Sequence, residues 1–172
     1  MSFYIRKVDS SKWEDELPQD HNFLEMSVEG ITNCCKTYDN ALSIWKTDNR
    51  DPYSEQNKRL ITAMAMSLDR PIAMTLIFLS DDELQTLDLD IVESPGDTPY
   101  EALVNLHRDI ANLTLERMGR LAWKIHEKVN DDDEIKLIPV EEITSFVREI
   151  FPEVSALPPE KREQKKWKNI YP

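Results

Sequence analysis

The chain has 172 residues, 40% of them hydrophobic and 31% charged, a size and balance that suit one folded domain and exclude a disordered polymer. Its formal net charge of −12 argues against a surface built to neutralise nucleic-acid phosphates or to lie on anionic lipid. Cysteine is confined to the adjacent Cys34 and Cys35, which excludes a disulfide framework or a zinc knuckle. With no signal-like start and no apolar run of about 18 residues, the expectation is a cytoplasmic chain with reduced thiols and no membrane partner.

Phe3 to Val8 alternates apolar and polar residues and predicts a short strand at an edge or in a hairpin. Asp9 to Glu25 is an acidic stretch expected to form a loop pinned by Trp13. Val28 to Lys36 suits a short helix with Val28, Ile31, Cys34 and Cys35 inward, and Asn40 to Lys46 a strand with Leu42 and Ile44 on one face. Ser54 is placed to cap a helix over Glu55 to Leu68, where Leu60, Ile61, Met64 and Leu68 recur at helical spacing. The continuous apolar run Ile72 to Leu79 predicts a strand covered on both faces, and strand, helix, strand in this order invites a βαβ crossover. Leu87 to Val92 alternates carboxylate and aliphatic, as a strand with one wet face does.

Thr98-Pro99-Tyr100-Glu101 is a capping box, predicting a helix that carries Leu103, Leu106 and Ile110, with Thr114 capping a second helix toward Val129. Ile135 to Ile138 is a short strand and Val140 to Ile150 a core helix. The fold expected is α+β: a mixed sheet of four to five short strands packed by about five helices over residues 1–154. A basic tail over 155–172, mobile or docking, completes it. That tail carries five basic and two acidic residues, leaving −15 on the remainder.

The motifs exclude more chemistry than they support. Gly30, Gly96 and Gly119 are isolated, so no phosphate-cradling loop exists. His107-Arg108-Asp109 looks like the catalytic loop of protein kinases but lacks the later Asn spacing and the Asp-Phe-Gly, and it is set aside as a helix surface. His21, His107 and His126 are too scattered for a metal signature, so neither a metal nor a cofactor is expected. One catalytic pattern survives as an alternative: Asp88 and Asp90 on one strand, with Glu134 and Lys136 opening another. That set resembles PD-(D/E)xK nucleases without their Pro-Asp step, and it implies a divalent ion that activates water.

Charge is the clearest feature. Eight carboxylates and no cation lie between Arg70 and Arg108, which points to a partner-binding face built from Asp81, Asp82, Glu83, Asp88, Asp90 and Glu93. Lys161, Arg162, Lys165, Lys166 and Lys168, with Trp167 between them, form the counter-feature. They suit docking onto a neighbouring subunit or onto the protein's own body, and they offer the one route to nucleic acid. The expected function is a non-catalytic module, such as an immunity protein, antitoxin or inhibitor, that binds a basic protein.

Overall fold

The computed structural model describes residues 2–13, 25–95 and 101–172. Six strands form a single sheet: β1 (Phe3–Val8), β2 (Leu42–Thr47), β3 (Met74–Ser80), β4 (Asp90–Glu93), β5 (His107–Ala111) and β6 (Lys136–Ile138). Their order across the sheet is β4-β5-β2-β1-β3-β6, and every neighbouring pair is antiparallel. The α+β class is as expected, but the sheet is wholly antiparallel rather than mixed and has six strands rather than four or five.

β1 runs through the middle of the sheet rather than along an edge. It pairs with β2 on one side and β3 on the other, so β2 and β3 run parallel to each other with β1 between them. The crossover through α2 (Glu55–Met66) is therefore a split one, spanning an inserted strand. β3 reads as a continuous apolar run because helices cover both faces. Leu76 and Phe78 pack with α2 and α6 (Val140–Ile150), whereas Ile77 and Leu79 pack with α1 (Val28–Cys34) and α5 (Leu115–Val129).

Caps act where side chains can reach them. Ser54 accepts from the Asn57 N–H at 3.3 Å, and Thr114 from the Arg117 N–H at 3.2 Å. The predicted cap at Thr98 lies outside the described residues. The helix beyond it, α4 (Glu101–Val104), is short, and the chain continues as β5 instead of a helix through Ile110. Tertiary pairing overrides the local period here, since β5 fills the gap between β4 and β2 and forms a ladder with each. A further helix, α3 (Asp81–Thr86), opens on the capping box Ser80…Glu83. It displaces the predicted strand start: Leu87 closes α3, Asp88 takes a left-handed φ of 55°, and β4 begins only at Asp90.

Val28 is exposed rather than inward, while Cys34 and Cys35 are buried. Gly30 of α1 lies against the buried Trp13 ring, where an added Cβ would sit 2.8 Å from Cδ2 and Cε3. Helix propensity would favour alanine there by about 1 kcal/mol, whereas overpacking costs about 1–3 kcal/mol. Gly30→Ala is thus expected to lower stability in urea unfolding despite the better helix former, and a stabilised variant would contradict this packing.

The segment 155–172 contains α7 (Pro159–Arg162) and α8 (Lys165–Lys168) and packs against the α2–α6 side of the sheet through Leu157 and Trp167. The Lys161 ammonium and the Trp167 indole N–H both donate to the Leu68 carbonyl just beyond α2, at 2.9 and 3.2 Å. They satisfy an acceptor at the negative end of that helix. Arg162, Lys165, Lys166 and Lys168 remain exposed. Among the described residues no helix is long and apolar enough to cross a membrane.

Candidate acidic interface

The six carboxylates singled out from the sequence do not form one free face. Asp81 accepts from the Ser2 N–H and the Tyr4 hydroxyl, both at 2.9 Å. Partial burial alone would raise its pKa, but these hydrogen bonds outweigh it and hold the carboxyl below the usual range. Tyr4, buried and facing that carboxylate, is pushed up to about 12. Asp88 and Asp90 share Arg117, at 3.2 and 2.8 Å, and the guanidinium holds Asp90 low. Glu93 pairs with Arg108 at 3.0 Å. The cation-free run in sequence thus meets cations supplied by β5 and α5, and much of the expected repulsion is neutralised internally. Asp82 stays exposed, with no ion pair among the described residues.

The nuclease-like set is not assembled. Asp88 and Asp90 are held by Arg117 near the start of α5, whereas Glu134 is held by Lys128 in its last turn, so eleven helical residues, roughly 16 Å, lie between the two anchoring cations. Lys136 donates to the Asp133 carbonyl at 2.7 Å. Among the described residues no group of three or more His, Cys, Asp or Glu could hold a metal ion.

The structure instead brings together two acidic segments about fifty residues apart in sequence. Glu83 closes the α3 capping box with one oxygen, accepting from the Ser80 N–H at 2.7 Å, and meets the Lys128 ammonium with the other at 2.8 Å. Lys128 comes from the last turn of α5, where a cation opposes the helix dipole, and is only 5% exposed. Its ammonium also lies 2.6 Å from Glu134, whose same oxygen is 2.6 Å from Arg50. Burial alone would push the Glu134 carboxyl up, but the hydrogen bonds from Lys128 and Arg50 win and hold it below its ordinary 4.5. Glu127, on the same turn of α5, accepts from the Trp123 indole at 2.9 Å and pairs with Lys124. A polar cavity of about 220 Å³ lies among Glu83, Lys124, Glu127, Lys128, Asp131 and Glu134.

The segments that meet at this buried lysine, 82–83, 127–128 and 131–136 together with Lys124 and Arg50, carry seven carboxylates against four cations, a balance of −3. Asp82, Asp131, Asp132 and Asp133 form its exposed rim. In sequence Asp82 and Glu83 group with the β4 carboxylates, whereas in space Glu83 joins the turn after α5. The available signal was Ser80-Asp81-Asp82-Glu83, whose helix start turns Glu83 toward the α5 terminus. Compared with family models, with curated proteins and with solved structures, the chain gives no match.

Proposed function

We propose that this chain is a non-catalytic interaction protein, of the immunity-protein, antitoxin or inhibitor kind, that presents the acidic rim around Lys128 to a basic protein surface. The reading is carried by the convergence of Glu83 and Glu134 on one buried cation, which fixes these inner carboxylates beside the exposed Asp82, Asp131, Asp132 and Asp133. Such a rim costs little conformational entropy to present. Its field steers a cationic partner, raising association rate more than final affinity. The exposed basic side chains of α7 and α8 belong to a segment whose tryptophan is already buried in its own core, so the acidic rim is the better docking surface.

A Lys/Arg-rich synthetic peptide serves as probe. The triple variant Asp82→Lys, Asp132→Lys, Asp133→Lys is expected to slow association by about tenfold or more at low salt, an effect that fades as salt screens the field. A control with the same charge change elsewhere, Asp69→Lys, Glu153→Lys, Glu160→Lys, should lose distinctly less. Equal losses from the two variants would reduce the effect to net charge and remove the basis for a specific rim.

A further inference from the structure

The β1–β2 ladder stops early. It pairs Phe3 with Thr47, Tyr4 with Lys46 and Ile5 with Trp45, and then ends, although β1 continues to Val8 and β2 begins at Leu42. Each strand stays paired on its other side: β1 with β3 out to Val8↔Thr75, and β2 with β5 out to Leu42↔Ile110. The sheet therefore forks near its centre. Arg6 sits in the fork, its Nε and one terminal nitrogen donating to the Cys34 carbonyl at 3.2 and 2.9 Å, and the other to the Ser43 carbonyl at 2.6 Å. The side chain replaces the missing ladder with neutral acceptors, so the guanidinium charge has no carboxylate partner among the described residues. Arg6 is half-buried, and that partial burial pulls its pKa down.

A cavity of about 620 Å³ opens at the fork, lined by Arg6, Lys7, Asp9, Asn33, Lys36 and Ser67 among others. Its size lies within the range of small-molecule sites. Lys7 and Lys36 likewise have no carboxylate partner among the described residues, so three cations face one anion, Asp9, on a protein whose net charge is −12. The Asp9 carboxylate is engaged locally by the Ser11 N–H and hydroxyl, at 3.2 and 2.7 Å. A second cavity of about 150 Å³ shares Arg6, Lys7, Ser67 and Leu68 with the first and adds the apolar walls of Ile5, Trp45 and Met64. A cationic chamber thus adjoins a small apolar one.

We infer that the β1–β2 fork binds a small amphipathic organic anion, with a phosphate or carboxylate at Arg6, Lys7 and Lys36 and a flat apolar body against Trp45 and Met64. A half-buried charge is held at lower cost when paired, and the ligand supplies the counterion that the fold leaves out. The site is independent of the acidic rim.

Phenyl phosphate is the probe, titrated to millimolar concentration against the full chain while amide shifts are followed. Saturable shifts are expected at Arg6 to Asp9, Asn33 to Lys36 and Ser67 to Leu68, with tighter binding than inorganic phosphate or phenol alone. Arg6→Ala risks unfolding by freeing the Cys34 and Ser43 carbonyls, so the decisive variant is Lys7→Gln with Lys36→Gln. Neither of these ammonium groups anchors the fold, and affinity should fall roughly fivefold to tenfold. Absence of saturable shifts in the wild type, affinity unchanged in the double variant, or phosphate binding as tightly as phenyl phosphate would each overturn the proposal.

Discussion

Replacing Trp167 by alanine is expected to lower the stability of the protein by about 3–5 kcal/mol, the cost typical of removing a large aromatic from a closed core. Trp167 is fully buried, in the cluster that holds Leu60, Ile61, Phe78, Phe146 and Val147, and its indole N–H is bonded to the Leu68 carbonyl. The variant loses the packed ring, leaves a cavity that neighbours from three elements cannot close, and removes one of two donors from an acceptor at the end of α2. For a chain of this size each kcal/mol corresponds to about 2–4 °C in melting temperature, so a drop of about 10 °C should be seen by circular dichroism. Deleting residues 155–172 removes Leu157 as well and should cost at least as much. A truncated chain melting within a few degrees of the full one would show that this segment is not part of the core.

Lys128→Met carries the second large effect. The variant keeps the aliphatic packing of the side chain but leaves Glu83 and Glu134 converging without their shared cation. Breaking a fully buried pair costs about 3–5 kcal/mol; here the carboxylates keep 28% and 24% of their surface in water, so about 2–3 kcal/mol is expected. The pH dependence has a definite sign. Glu134 is held below its ordinary 4.5 in the folded state, so it contributes stability above that pH, and the contribution is lost as pH falls through the lowered folded value. Lys128→Met weakens that hold, so the gap between wild type and variant should be full at neutral pH and close below about pH 4.5. Adding Glu83→Gln should recover part of the loss, since glutamine still serves the capping box at this position. A gap that widens on acidification, or a double variant no better than the single, would show that Lys128 packs without pairing.

Local chemistry was readable where it determined local structure. Ser54 and Thr114 cap the helices that their positions suggest, and the α2, α5 and α6 periods and the β1 and β3 patterns follow from residues within one element. What escaped depends on contacts between elements. The Leu106 to Leu113 spacing suits a helix, yet β5 forms because two neighbouring strands offer ladders there. The carboxylates between Arg70 and Arg108 seemed unpaired because Arg108 and Arg117 lie just beyond the run and reach back to it in space. The spacing of Asp88 and Asp90 suits one strand face, whereas the α3 terminus puts Asp88 in a left-handed turn; Arg117 gathers both even so. The acidic rim joins two segments through a lysine that either segment alone leaves unremarked. The fork at Arg6 is invisible to pattern, since it arises where a ladder stops between two strands that each look regular.

The most direct test of the acidic rim is a map of where a cation lands. When the Lys/Arg-rich peptide is titrated into isotope-labelled protein at low salt, the account predicts amide shifts concentrated at Asp82, Glu83 and residues 127–134. The resonances of Asp69, Glu153 and Glu160 should stay almost still. Shifts spread evenly over the exposed carboxylates, or centred on β4, would contradict it.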